Sequence, residues 1–181
     1  MHFLNYFYQK TLKFDSINKF HYTNLKKLPK LRKITLNFNC QTTELKKLAT
    51  HLLALELITK QKGKLIGSTR PNITLKVRKG DPIGCSLTLK KQLTWNFLFK
   101  SFIEIFPKIK SFEGIVNIKK IKKTTVSFVI KNNLNFSELT EHYSLFNSLS
   151  KLNVSIIVDA NNEKEMIFFM NSLRLTSKNN L

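Results

Sequence analysis

Thirty-one lysines and arginines stand against eleven acids in a chain of 181 residues, a formal charge of +20. Charge of that size resists compaction and draws a polyanion, so whatever this chain folds into must pair an ordinary core with an anionic partner. The means for a core are present, since 42% of the residues are hydrophobic and 181 residues suffice for a domain without disulfide staples. Cys40 and Cys85 form no CxxC motif and have no clustered histidine near them in sequence, so neither a disulfide framework nor a zinc site is expected. No apolar run approaches the length of a membrane span and the N-terminus lacks a secretory pattern, so neither a membrane protein nor a secreted one is expected.

The charge is uneven. Residues 1 to 90 carry 18 basic and 4 acidic side chains, whereas residues 91 to 181 carry 13 and 7, which turns the N-terminal half toward the polyanion. The densest stretch holds Lys60, Lys62, Lys64, Arg70, Lys76, Arg78, Lys79, Lys90 and Lys91 against Asp81 alone. Glycines and prolines punctuate it, so mutual repulsion predicts an extended, poorly ordered loop that phosphates would neutralise and order. A plain solvated loop is the bland alternative for such a run, and the overall charge tips the balance to nucleic acid. Lysine outnumbers arginine 27 to 4. Compact ammonium charges suit phosphate, while base reading favours the planar arginine fork, so shape and backbone recognition is expected.

Periodicity predicts a helix within residues 1 to 24, a strand over Lys33 to Phe38, and a helix from Thr43 to Lys60 with a threonine cap, Glu44 in its first turn and Gly63 ending it. A long hairpin or extended loop follows to Lys91, with a strand at Ser86 to Leu89. A largely buried helix runs from Gln92 to Pro107, then a turn around Lys110 to Gly114. Strands near Ile115 to Ile121 and Thr125 to Ile130, a polar helix or loop from Ser137 to Ser150, a strand at Val154 to Asp159 and a helix from Asn162 to Leu173 complete the chain. No repeat or linker divides it, so one α+β domain over 1–176 is expected, with 177–181 a flexible tail. Outward-facing Asn37 and Thr88 could offer hydrogen bonds to ribose or base edges, although spacing alone favours ordinary solvent-facing strand residues.

Catalytic constellations are missing. His2, His21, His51 and His142 are scattered, Asp81, Glu104 and Glu113 form no metal-binding set, and the Gly80 to Cys85 turn matches no phosphate-binding glycine motif. Cys85 leads into an apolar strand and reads as a small buried hydrophobe. No enzyme activity and no cofactor are expected.

Several blocks resemble the universal large-subunit ribosomal protein L-five family, which holds 5S ribosomal RNA. They are Leu28-Pro29-Lys30, Lys33 to Asn37, Gln61-Lys62, Lys76 to Cys85, Thr88-Leu89, Trp95-Asn96-Phe97 and Phe106 to Gly114. The resemblance covers residues 1 to about 115 and implies a mostly antiparallel sheet with helices on one face and a basic extended loop. It implies that the other face, at Asn37, Gln61 and Thr88 with Lys33 and Lys62 beside them, meets 5S rRNA in the central protuberance. The loop with Arg70, Lys76, Arg78 and Lys79 would face peptidyl-site tRNA, and an outer surface would meet a head protein of the small subunit. Large-subunit rRNA and other ribosomal proteins would complete the partners. The family's glycine-rich turn after Gly114 is replaced here by the lysine-rich run from Ile115 to Thr125, and a shorter hairpin is expected.

A final signal concerns the genome. Phe, Tyr, Met, Ile, Asn and Lys number 83 against 16 Gly, Ala, Arg and Pro, which reads as AT-rich codon pressure of the kind found in organelles. The resemblance begins in the first helix and leaves no room for an import presequence, so a mitochondrial, organelle-encoded protein is expected. The competing reading is a free-standing RNA-binding regulator or chaperone of the same fold; an RNA-modifying enzyme ranks below both.

Overall fold

A computed structural model of the protein describes residues 3–40, 44–74, 76–109 and 124–175. The Ile115 to Ile121 strand, the turn at Lys110 to Gly114, the Thr43 cap and the tail at 177–181 lie outside the described residues. Elements run in the order α1 (Phe3–Phe7), a π-helical turn (Tyr8–Leu12), α2 (Lys13–Phe20), a 3₁₀ turn (Leu25–Lys27), β1 (Lys30–Asn39), α3 (Leu45–Thr59), β2 (Lys64–Gly67) and β3 (Pro82–Lys90). They continue with α4 (Gln92–Lys100), a second π-helical turn (Ser101–Ile105), β4 (Thr125–Ile130), a 3₁₀ turn (Asn133–Asn135), α5 (Ser137–Thr140), α6 (Tyr143–Phe146), β5 (Leu152–Asp159) and α7 (Glu163–Ser172). The architecture is α+β, with a five-stranded antiparallel sheet in the order β2-β3-β1-β5-β4.

Alternation explains the strands. Ile34, Leu36 and Phe38 of β1, Cys85, Leu87 and Leu89 of β3, Val126, Phe128 and Ile130 of β4, and Leu152, Val154, Ile156 and Val158 of β5 are buried. The intervening residues are polar and more open, such as Thr35, Asn37, Ser86 and Thr88, as a sheet covered on one face requires. Ser127 and Ser155 join their hydroxyls across neighbouring strands at 2.8 Å on the open side.

The chain builds two compact units, whose boundaries fall inside β1, β3, β4 and β5. The first comprises residues 1–34, 89–128 and 155–181. Its helices meet around Tyr8, whose ring lies 5.5 Å from Trp95 and 6.0 Å from Phe169. The Tyr8 hydroxyl donates to the Pro29 carbonyl at 2.9 Å, which fastens the first helix to the start of β1. Buried Ser16 and Ser101 donate to the Leu12 and Phe97 carbonyls one turn back, which satisfies their hydroxyls inside the helices. At α7, Asn162 takes the extended cap position, and the first-turn Glu165 carboxylate reaches back to accept the Asn161 N–H at 3.0 Å.

Burial pushes the Tyr8 phenol up to about 12. A raised folded-state value means this contribution to stability is intact below the ordinary tyrosine range and is lost as pH climbs through it, because only the unfolded chain ionises there. Tyr8→Phe is expected to cost about 0.5–1.5 kcal/mol at neutral pH by orphaning the Pro29 carbonyl. The same change should flatten the decline in stability between about pH 10 and 12, read by urea melts across that range. An equally steep decline in the variant would count against the assignment.

The second unit comprises residues 35–88 and 129–154. Here α3 turns Leu48, Leu55 and Ile58 inward, with Phe38, Phe136, Leu139 and Phe146 also buried. His51 on α3 accepts the Ser150 N–H at Nε2 (2.9 Å), while its Nδ1 faces the Lys47 carbonyl (2.5 Å).

Two local expectations for α3 are corrected. Glu44 occupies the cap position in extended backbone, makes no capping bond, and pairs with Lys47 at 3.0 Å. The helix stops where expected, but Lys60 rather than Gly63 terminates it: Lys60 adopts left-handed backbone (φ 57°), its N–H bonding the Glu56 carbonyl at 2.7 Å. β3 starts at Pro82, four residues earlier than expected. Proline is tolerated at a strand's first position, and Gly84 sits inside the strand rather than in a turn.

Candidate nucleic-acid interface

Apart from Lys33, every nominated contact residue belongs to the second unit. The Cys40 N–H donates to the Ile83 carbonyl at 3.0 Å, which fixes β1 against β3. With residue 40 opposite residue 83, Asn37 and Thr88 project on the same uncovered face, Asn37 half-buried and Thr88 exposed. β2 pairs antiparallel with β3 so that Lys64 stands directly opposite Ser86, which places its ammonium group on that face too. Gln61 and Lys62 lie in the short link between α3 and β2, Gln61 half-buried with its N–H 3.4 Å from the Thr59 hydroxyl, Lys62 exposed. Lys33 is half-buried in the stretch of β1 assigned to the first unit.

Between β2 and β3 the basic loop differs from the expected disordered segment. The Ser68 N–H donates to the Asp81 carbonyl (2.8 Å) and the Gly80 N–H to the Ser68 carbonyl (2.9 Å), closing its base. Further out, Asn72 and Val77 exchange N–H to carbonyl bonds at 2.9 and 3.0 Å, and the Asn72 side chain accepts the Thr74 N–H at 3.0 Å. Lys76 (φ 52°) and Gly80 (φ 96°) supply the left-handed backbone these tight turns need. Asp81, the lone acid of the stretch, spends its carboxylate on the Arg78 N–H at 2.7 Å. Repulsion does not unravel the loop because its cations point into water, where high dielectric and salt reduce each pairwise term.

This ladder presents Arg70, Lys76, Arg78 and Lys79, all exposed. At its tip Ile73 is 94% exposed, an apolar group among cations. Where the loop meets the strands, a cavity of about 370 Å³ is lined by Asn39, Ile66, Ser68, Arg70, Pro71, Asn72, Val77, Ile83 and Gly84. The unit thus offers polar groups on an open strand face and guanidinium and ammonium groups on a braced loop. That combination suits phosphate and ribose rather than covalent chemistry.

Sequence reasoning misses two features. Lys64 escapes nomination because β2 is four residues long, too short for alternation to announce it. His51, scattered in the sequence, lies beside Cys40 and Cys85, which the pairing of β1 with β3 brings together; no sequence spacing encodes that. Among the described residues no group of three or more His, Cys, Asp or Glu could hold a metal ion, and no helix is long and apolar enough to cross a membrane.

The family model for the ribosomal L-five-P family C-terminus matches residues 82–178. The large ribosomal subunit protein uL5m of Reclinomonas americana is 34% identical over 160 residues, covering 87% of this chain and 88% of that protein. The large ribosomal subunit protein uL5 of Wigglesworthia glossinidia brevipalpis is 32% identical over 161 residues, covering 88% and 89%. That of Borreliella afzelii is 30% identical over 164 residues, covering 90% and 89%. With a family model matching its C-terminal half and relatives at 30% identity or more over most of its length, the chain belongs to the uL5 family of large-subunit ribosomal proteins and is not an enzyme.

Proposed function

We propose that the protein is a structural component of the mitochondrial large ribosomal subunit, its open strand face holding 5S rRNA or the RNA in its place in the central protuberance. The basic loop contacts peptidyl-site tRNA, a further surface meets the small-subunit head, and residues 1–176 serve as one ribosomal-protein domain. The carrying observation is the second unit itself, where Asn37, Thr88 and Lys64 share an uncovered face and Arg70, Lys76, Arg78 and Lys79 occupy a separate, hydrogen-bonded loop. Two chemically distinct surfaces fit two RNA partners. The AT-rich residue usage and the similarity to the mitochondrial relative from Reclinomonas americana support the organelle.

Sedimentation of gently lysed mitochondria, with mass spectrometry of each fraction, tests the placement. The protein is expected with the large subunit; recovery with messenger or precursor RNA in light fractions would favour the free-standing regulator instead. At the level of contacts, Asn37→Ala and Gln61→Ala are each expected to weaken binding to a 5S rRNA transcript by about 1–3 kcal/mol, since the RNA group facing each would be left unpaired. Filter binding with both variants at one salt concentration reads this, and unchanged affinity in both would move the contact to another face.

A further inference from the structure

Cys40 follows directly on β1 and is half-buried; Cys85 lies within β3 and is fully buried. With residue 40 opposite residue 83, both thiols point to the covered side as diagonal neighbours on adjacent strands, near enough for each to shift the other's titration. The strands approach closely here, for a Cβ on Gly84 would come within 2.6 Å of the Phe38 carbonyl oxygen. Helix α3 closes the cluster: the Leu48 carbonyl accepts from the Cys85 Sγ at 3.6 Å, and the His51 ring, edge-on to Phe38 at 5.2 Å, stands beside Cys40.

We propose that Cys40 and Cys85 are a peroxide-sensitive dithiol, in which hydrogen peroxide or a small organic hydroperoxide oxidises Cys40 and Cys85 then closes a disulfide between β1 and β3. The Cys40 thiolate attacks one peroxide oxygen, the O–O bond breaks, and the departing hydroxide takes a proton from solvent to leave as water, giving a sulfenic acid. The Cys85 sulfur then attacks the Cys40 sulfur, the S–S bond forms, the S–O bond breaks, and hydroxide takes the Cys85 proton as a second water. Two thiols are oxidised by two electrons and one peroxide is reduced.

The two sulfurs differ in the way this sequence needs. Only Cys40 reaches the surface. Its thiol is held down at about 5, chiefly by the neighbouring Cys85 thiol, with burial opposing and the nearby His51 assisting. Cys85 is pushed upward by its Cys40 neighbour and by burial, so it retains its proton while Cys40 is the reactive member. The crosslink would pin the end of β1 to β3 beside the cavity formed by Asn39, Ile83 and Gly84.

The test is intact-mass analysis of the full chain after equimolar hydrogen peroxide and denaturing alkylation. The wild type is expected about 2 Da lighter than the reduced chain and unable to take up two alkyl groups until reductant is added. Cys85→Ser should instead trap a sulfenic acid on Cys40 that dimedone captures, and Cys40→Ser should leave Cys85 unoxidised. Two freely alkylated thiols in the treated wild type, or dimedone on Cys85, would overturn the proposal. The wild-type measurement requires neither variant to fold.

Discussion

Raising salt from about 50 to 200 mM is expected to weaken binding of the isolated protein to a 5S rRNA transcript by roughly 10³ to 10⁵-fold, if about six to ten phosphates are engaged. Each ammonium or guanidinium that meets a phosphate releases condensed counterions, and that entropic gain shrinks as bulk salt rises. The separation of the two surfaces sharpens the expectation. Lys62→Gln and Lys64→Gln, on the link and the open face, should each reduce the slope of log affinity against log salt by about one contact's worth, roughly 0.7–0.9. Replacing Arg70, Lys76, Arg78 and Lys79 together should leave the 5S slope nearly unchanged while lowering affinity for tRNA. A flat salt response would refute the contact count, and a 5S slope lost with the loop would reverse the assignment of the two surfaces.

The largest single-residue effects on stability are expected where β1 meets β3. Phe38 is completely buried, and Phe38→Ala removes its ring contacts and leaves a void, at a cost of about 3–5 kcal/mol. For a chain of this size that corresponds to a fall in melting temperature of roughly 6 to 20 °C. Gly84→Ala tests the same place from the opposite direction. The added methyl would stand 2.6 Å from the Phe38 carbonyl oxygen, a backbone atom with no rotamer to escape into, so the strands must part at a cost of about 1–3 kcal/mol. Thermal melts of the full chain read both, and an unshifted Gly84→Ala melt would mean that the strands do not approach this closely.

Elements with strong periodicity are legible from the residues alone. β4 spans Thr125–Ile130 as alternation predicts, and α7 lies within one residue of the expected helix at each end. Legibility fails wherever a residue's usual meaning is overridden by its neighbours. Pro82 and Gly84 look like turn punctuation, yet the first opens β3 and the second lets a partner strand come near. Lys60 ends α3 in a left-handed conformation that no lysine advertises. Counting like charges along the chain misjudges the basic loop, because its backbone bonds cross from Ser68 to Asp81 and from Asn72 to Val77. Asn37, Gln61 and Thr88 rest on family resemblance, since nothing intrinsic to an outward polar residue distinguishes a ligand contact from hydration.

The surplus of twenty positive charges also bears on abundance in the cell. A copy without its ribosome has too few acids of its own to answer that surplus, and it forgoes the stabilisation of about 2.7 kcal/mol that a partner at one hundred times the dissociation constant supplies. Orphaned copies should therefore be cleared by quality-control proteases faster than assembled ones. Supply of the protein would then be trimmed to the number of particles under construction without any dedicated sensor.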